Sequence, residues 1–522
     1  MSGGWNIGIL VTPLSRANGH LSTQQTSVES AQSRGLKSGT ETQTQMALLE
    51  SHGSDDAVAA ASKATPAIAA QALPDVPGPT TGIGRLWERF NGGFWTLLDQ
   101  GVISLGAFLI NVQLARQLDT PQYGTFALLL GSFFLFQHFN ASLIYYPLML
   151  KLAGGKEERP SDLVFVSLIL TALSTSAFSI LVTSCLIAFG HSEIAFAAAV
   201  YLVLWQLQDG LRRALLAQFS HRTAAIADGI TYVGAAAGIA TLAYSHTLSV
   251  SNAFFAMAGT CALAIAVQVY QRPPTLLRDG NARDLLDSFW THGKWAFLNG
   301  IILIVTMQAF PWALATARGP AGAAAFQAVL NVANLVNPIA FGLSNIILTT
   351  VAQTYATGTM RSAWRAAQTY IIIGTTLLSF CVIPVMLMPH AVLVLFYGVN
   401  SPYTNLEQAV GVMVLAVAIN SIAEMMSTFV HGVQSAKLAV WMNGISLAVV
   451  ALLLPFVGSH GVAGCALVLG AAKVVRLIAA SCIVARMLSS AERAHRPDVS
   501  RVSTPGEDND YQYRHTRPER RK

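Results

Sequence analysis

The chain has 522 residues, of which 53% are hydrophobic and only 11% charged, with a mean hydropathy of +0.49, a formal net charge of +6 and a pI near 9.1. A soluble globular chain carries roughly 25% charged residues, so the composition excludes an ordinary soluble domain and indicates a polytopic helical membrane protein. The basic balance does not indicate nucleic acid, because most Lys and Arg of the apolar middle of the chain sit at the ends of apolar runs, where they set topology.

Residues 1–84 are rich in Ser, Thr, Gln, Ala and Gly and turn Pro-rich at "LPDVPGPTTG". Such a segment buries too little apolar surface to offset chain entropy, and it reads as a disordered cytoplasmic extension, taken to residue 89. A charged start, a long apolar run and a small-residue cleavage site do not occur together here, so no signal peptide is expected. A start nearer Met46 fits the same composition. Twelve candidate spans follow, near 94–116, 123–147, 163–189, 193–211, 223–245, 251–270, 294–317, 322–350, 368–388, 406–431, 437–457 and 460–485. A spanning helix needs about 20 mostly apolar residues, which leaves "AVLVLFYGV" (391–399) too short to cross. The expected organisation is a first lobe over 90–271, a cytoplasmic linker over 272–293, a second lobe over 294–486 and a disordered cytoplasmic tail over 487–522.

The loops are consistent with that count. One alternating set carries 13 Lys and Arg: Lys151, Lys156, Arg159, Arg212, Arg213, Arg222, Arg272, Arg278, Arg283, Lys294, Arg361, Arg365 and Lys437. The other set carries only Arg116 and Arg318. Positive residues concentrate in cytoplasmic loops, so both termini are expected in the cytoplasm.

The two halves resemble each other. Shifted by 200 residues, "GGFWTLLDQG" (92–101) meets "HGKWAFLNGI" (292–301), and Asp99 falls on Asn299. Shifted by 215, "SHRTAAIADG" (220–229) meets "SAKLAVWMNG" (435–444), which places Asp228 on Asn443 and Asp209 on Glu424. The extra 15 residues fit the outer loop around "PHAVLVLFYGVNSPYTNLEQ". Six helices followed by six more in the same orientation make a parallel repeat about an axis along the membrane normal. The fold class is therefore all-α integral membrane, with two six-helix lobes around a central cavity.

The stretch "LLDQGVISLGAFLINVQLARQLDTPQYGTFAL", then "ASLIYYPLML", and finally "GSHGVAGCALVLGAAKVVRL" resemble the Wzx-like flippases of bacterial polysaccharide synthesis. That family belongs to the multidrug/oligosaccharidyl-lipid/polysaccharide (MOP) exporter superfamily, and the likeness covers residues 90–486. The resemblance implies alternating access in the inner membrane for an undecaprenyl-pyrophosphate-linked oligosaccharide. It also implies a polysaccharide polymerase and export machinery as candidate partners. No cofactor is expected, since the sequence has no GxxxxGK[ST] loop, no CxxC pair and no HExxH.

Charges inside spans are costly and mark functional sites by default. Lys473 and Arg476 lie three apart on one helix face, with Lys473 roughly 18 Å past Gly461 at 1.5 Å per residue. Under the flippase reading both face the cavity and attract pyrophosphate; the alternative is an acidic partner, or the inner interface for Arg476. Asp209 and Glu424 are candidates for gating or ion coupling, against salt bridges to neighbours such as Arg212 and Arg213. Arg116 and Arg318 end the first helix of each lobe as interface anchors, or as phosphate contacts in an outward-open state. Asp99 is a gate candidate, against a carboxylate near the start of a helix, where the dipole favours it. Two further functions compete with flipping: a drug/cation antiporter of the same superfamily, and a membrane-embedded polymerase or glycosyltransferase.

Overall fold

The computed structural model describes residues 82–153, 160–218, 220–271, 273, 282–433 and 436–495. The described residues from Phe94 onward form one compact unit, and the helical residues 82–93 are assigned to another, the rest of which lies outside the described residues. Among the described residues there is helix and no strand. Eleven helices among the described residues are long and apolar enough to cross a membrane, and a twelfth, Ala436–Leu453, has a shorter apolar stretch at Val440–Leu453. The fold is all-α, with two six-helix lobes of spans one to six and seven to twelve. Its two faces are named here by the chain: the terminal face holds the start of span one and the end of span twelve, and the far face lies opposite.

Span one is helix Gly82–Gln117, and span two runs from Thr120–Asn140 through a π turn at Ala141–Tyr145 into Tyr146–Ala153. Spans three and four are Pro160–Ala188 and Ser192–Ala217. Span five joins His221–Asp228 to Gly234–Tyr244 through a second π turn, and span six is Val250–Gln271. Span seven is Ala282–Arg318. Span eight breaks into Pro320–Ala333 and Asn337–Thr357 around a 3-10 turn. Pro338 lies at that break, and a proline lacks the N–H that a continuous helix would need there. Span nine, Met360–Leu387, starts on a capping box between Thr359 and Ser362, which satisfies two orphan donors reciprocally. Span ten is Glu407–Gly432, and span eleven is Ala436–Leu453. Span twelve lies within Pro455–His495, interrupted by non-helical Gly461.

Three expected boundaries move. The first helix begins at Gly82 rather than near 94, and the expectation for residues 1–81 lies outside the described residues. Ala282–Trp290, expected as linker, is already helix of span seven, and the last helix reaches His495 rather than ending at 486. Hydropathy marks only the part of a helix that lies in lipid, so polar extensions such as "ARDLLDSFW" escape it.

A polar knot fastens each lobe, and the two knots are related by the repeat. In the first lobe, Arg212 of span four donates through Nη2 to Asp99 Oδ2 of span one at 2.6 Å, and through Nε to Asp228 of span five. Gln208 Nε2 adds a bond of 2.9 Å to the second oxygen of Asp228. In the second lobe the corresponding residues are Asn299 and Asn443, and they bond directly at 3.2 Å. The same two positions thus meet in both halves, as carboxyl groups around an arginine in one and as amides in the other.

The lobes meet along spans two and seven, where Gly300 lies against the His138 ring, and at the far face, where Gly124 lies against the Pro320 carbonyl. The segment between spans nine and ten straps this far face. Its short helix Pro389–Tyr397 accepts a bond of 3.1 Å at Leu395 O from Arg116 Nη2 and packs Phe396 edge-on against Phe108 at 4.9 Å. Tyr397 donates its hydroxyl to Ala328 O at 2.9 Å, and Tyr403 stands 6.2 Å from Tyr123. The short apolar stretch is therefore a far-face helix that does not cross.

Candidate functional site

A cavity of about 160 Å³ lies between the lobes. Span two gives it Gln137 and His138, span seven Gln308, span eight Gln327, Asn334 and Asn337, span ten Asn420, Ser421 and Glu424, and span twelve Lys473. Arg213 reaches it from span four, and Phe134, Phe326 and Phe341 supply aromatic faces. Six of these side chains are primary amides, each able to donate and accept at once. Such a wall suits a ligand bearing many hydroxyls.

The charged residues differ in how they are held. Lys473 is 3% exposed and has no hydrogen bond or ion pair among the described residues. Arg476, 2% exposed, donates through Nη1 to Asn420 Oδ1 at 2.8 Å and through Nη2 to Glu424 Oε2 at 2.6 Å. Its Nε has no acceptor. Asp209 is buried and receives Arg213 Nε at 2.9 Å and Gln137 Nε2 at 3.1 Å, while the Arg213 guanidinium covers the Tyr145 ring. The repeat partners Asp209 and Glu424 are thus each paired with an arginine inside their own lobe.

The structure places Lys473 and Glu424 on the cavity wall, joins Arg476 to Asn420 and Glu424 behind that wall rather than lining it, and places Asp209 behind it through Gln137 and Arg213. It keeps the other candidates apart. Asp99 belongs to the buried knot with Arg212 and Asp228, and it sits 17 residues inside a helix that starts at Gly82. A helix dipole acts only within the first turn, so the dipole explanation of Asp99 is replaced by its ion pair. Arg116 bonds the Leu395 carbonyl and Arg318 Nη2 bonds the Ser459 carbonyl at 3.2 Å, both exposed on the far face and outside the cavity.

His138 was not singled out from the sequence. It is 8% exposed, lines the cavity and leaves Nε2 unpartnered. The run "QHFN" within an otherwise apolar span was the available signal.

A groove of about 230 Å³ runs between spans one and eight. Gly101, Leu105 and Phe108 form one side, and Leu335, Pro338 and Phe341 the other. Asn334, Asn337 and Phe341 line both groove and cavity, so the two adjoin.

No protein-family model and no curated protein matches the sequence. Solved structures do match. An inward-facing multidrug resistance MATE family transporter of the MOP superfamily aligns with a TM-score of 0.66 at 14% identity, covering 76% of this chain and 96% of that one. An outward-facing counterpart gives 0.57 at 14% identity, over 77% and 95%. A MOP superfamily transporter from Pyrococcus furiosus, described as having a binding pocket of reversed polarity, also gives 0.57 at 14% identity, over 77% and 95%. The fold is that of a MOP-superfamily transporter.

Pairing of Asp209 and Glu424 with arginines leaves Lys473 as the basic cavity residue without a described partner. The chemistry available is binding and release, with amides for hydroxyl groups and a basic side chain for an anion.

Proposed function

We propose that the chain is a flippase for a lipid-linked, phosphate-bearing oligosaccharide, working by alternating access with both termini in the cytoplasm of a bacterium and the spans in its inner membrane. The observation that carries this reading is Lys473, a basic side chain on the cavity wall with no described protein partner. An unpaired charge at this depth costs several kcal/mol by order of magnitude, and an anionic substrate recovers that cost. The amide wall supports a saccharide, and the adjoining groove between spans one and eight supports a lipid tail that stays in the bilayer while the head group crosses. The likeness of residues 90–486 to Wzx-like flippases supports the same substrate class.

The drug/cation antiporter remains the second reading, favoured by the MATE-type neighbours and the intramembrane carboxylates. Here, however, Asp99, Asp209, Asp228 and Glu424 all face an arginine within hydrogen-bond distance. That pairing leaves little negative charge for an organic cation.

Lys473→Ala tests the proposal. Loss of a charge-assisted bond of about 1.5–3 kcal/mol corresponds to about a 10- to 100-fold loss of affinity. Surface polysaccharide should fall and an undecaprenyl-linked oligosaccharide should accumulate in lipid extracts, with the variant still in the membrane. Unchanged export together with altered dye resistance would favour the antiporter.

A further inference from the structure

The charges around Lys473 do not balance for a diphosphate, and the imbalance has a structural answer. A diphosphate diester brings two negative charges, whereas the cavity offers one cation with no described partner, Lys473. The second cation is one helical turn away. Arg476 shares the face of Lys473, because positions three apart on a helix lie within about 5–6 Å at Cβ. Its two Nη groups are engaged by Asn420 and Glu424, and its Nε is an orphan donor that lacks an acceptor.

The pair is unequal in exposure. The Arg476 side chain is 2% exposed, whereas that of Glu424 is 26% exposed and lines the cavity. The carboxylate is therefore the member that meets protons and ligand. Its repeat counterpart lacks this freedom, since Asp209 is buried and held by both Arg213 and Gln137.

We propose that Glu424 is an exchangeable internal anion that neutralises Arg476 while the cavity is empty and takes up a proton when a diphosphate binds. The proton comes from water and adds to the Glu424 carboxylate. The guanidinium then turns from Glu424 to the second phosphate charge beside Lys473, so that loading couples a proton to the substrate. This rests on the phosphate reading of the cavity. The groups that bear electrostatically on Glu424 are Arg476 and Lys473 of span twelve and His431 of its own span. Across the cavity stand Arg213 and His138, and span eight presents neutral Asn334 and Asn337.

The experiment is calorimetric titration of the full purified chain with inorganic pyrophosphate, in buffers of different ionisation heat, at pH 6 and pH 8. Comparison of variants at each pH cancels the titration of pyrophosphate itself. Wild type should take up about one proton more per ligand than Glu424→Gln, in line with linkage. Glu424→Gln should bind about tenfold tighter than wild type at pH 8, a gap that narrows at pH 6. Should Glu424→Gln fold poorly, the double variant Glu424→Gln/Arg476→Met strands no guanidinium and should bind through Lys473 without the extra proton. His431→Gln should keep the extra proton. Equal proton uptake and a pH-independent affinity ratio, with Lys473→Ala still abolishing binding, would overturn the exchange and leave the phosphate reading standing. An extra proton lost only in His431→Gln would overturn it as well. Failure of wild type to bind pyrophosphate at either pH would overturn both.

Discussion

Arg212 is buried with a carboxylate on each side, and its removal would strand Asp99 and Asp228 in the core of the first lobe. Removing one partner of a buried ion pair costs about 3–5 kcal/mol, so Arg212→Ser should fold poorly and melt well below wild type in detergent. The second lobe supplies the remedy. At the positions equivalent to 99, 212 and 228 it has Asn299, Ser427 and Asn443. The triple variant Asp99→Asn/Arg212→Ser/Asp228→Asn, a copy of that neutral knot, should recover most of the lost melting temperature. If the triple variant is no better than the single, the arginine is needed for more than charge balance. The sequence made the Asp-to-Asn correspondence visible through the repeat. It could not show that 99 and 228 meet, because a contact 113 residues from Arg212 leaves no local pattern. For the same reason the pairing of Glu424 with Arg476, 52 residues apart, was open until the helices were packed.

The strap between spans nine and ten is the largest element present in one lobe and lacking from the other. Across the lobes its grip is the Phe396–Phe108 edge contact, while the Tyr397 hydroxyl on Ala328 O anchors it to span eight of its own lobe. A buried hydrogen bond contributes about 1 kcal/mol and an aromatic pair about 0.5–1.5 kcal/mol. The exposed Arg116 bond adds little. Of the two larger contacts only the aromatic pair crosses between the lobes, so about 1 kcal/mol favours the closed far face, equivalent to roughly a fivefold shift in a two-state equilibrium. The variant Phe396→Ala should therefore open the far face more often. A cysteine introduced at Ser421 in a background without the native cysteines reports this, through faster reaction with an impermeant maleimide from the far side. An unchanged rate would mean that the strap travels with span eight instead of bridging the lobes. Span number was legible because about 20 apolar residues in succession have no other common use. The bridging role of nine residues was not, since hydropathy carries no information about which lobe they touch.

At the scale of the whole molecule, the proposed alternating access requires the two lobes to part on one face and close on the other, so contacts between them should be built for separation. The close approach of Gly124 to the Pro320 carbonyl marks the far-face contact, and that of Gly300 to His138 marks the seam of spans two and seven. They differ in what a side chain would meet. A Cβ at Gly300 meets a ring that can rotate, whereas a Cβ at Gly124 meets backbone at the start of span eight, which cannot. Gly124→Val should act as a wedge, with an overpacking cost of roughly 1–3 kcal/mol falling on the far-face-closed state alone. Transport should then drop about tenfold or more, since one arm of the cycle is disfavoured, while the Ser421→Cys reporter labels faster from the far side. Gly411→Ala is the matched control, because nothing lies within 4 Å of the Cβ it would add. The sequence has 41 glycines, and six plus six helices could be counted without knowing which of them face the other lobe. If Gly124→Val transports normally and labels like wild type, spans two and eight do not separate at this point, and the moving boundary lies along spans one and eight instead.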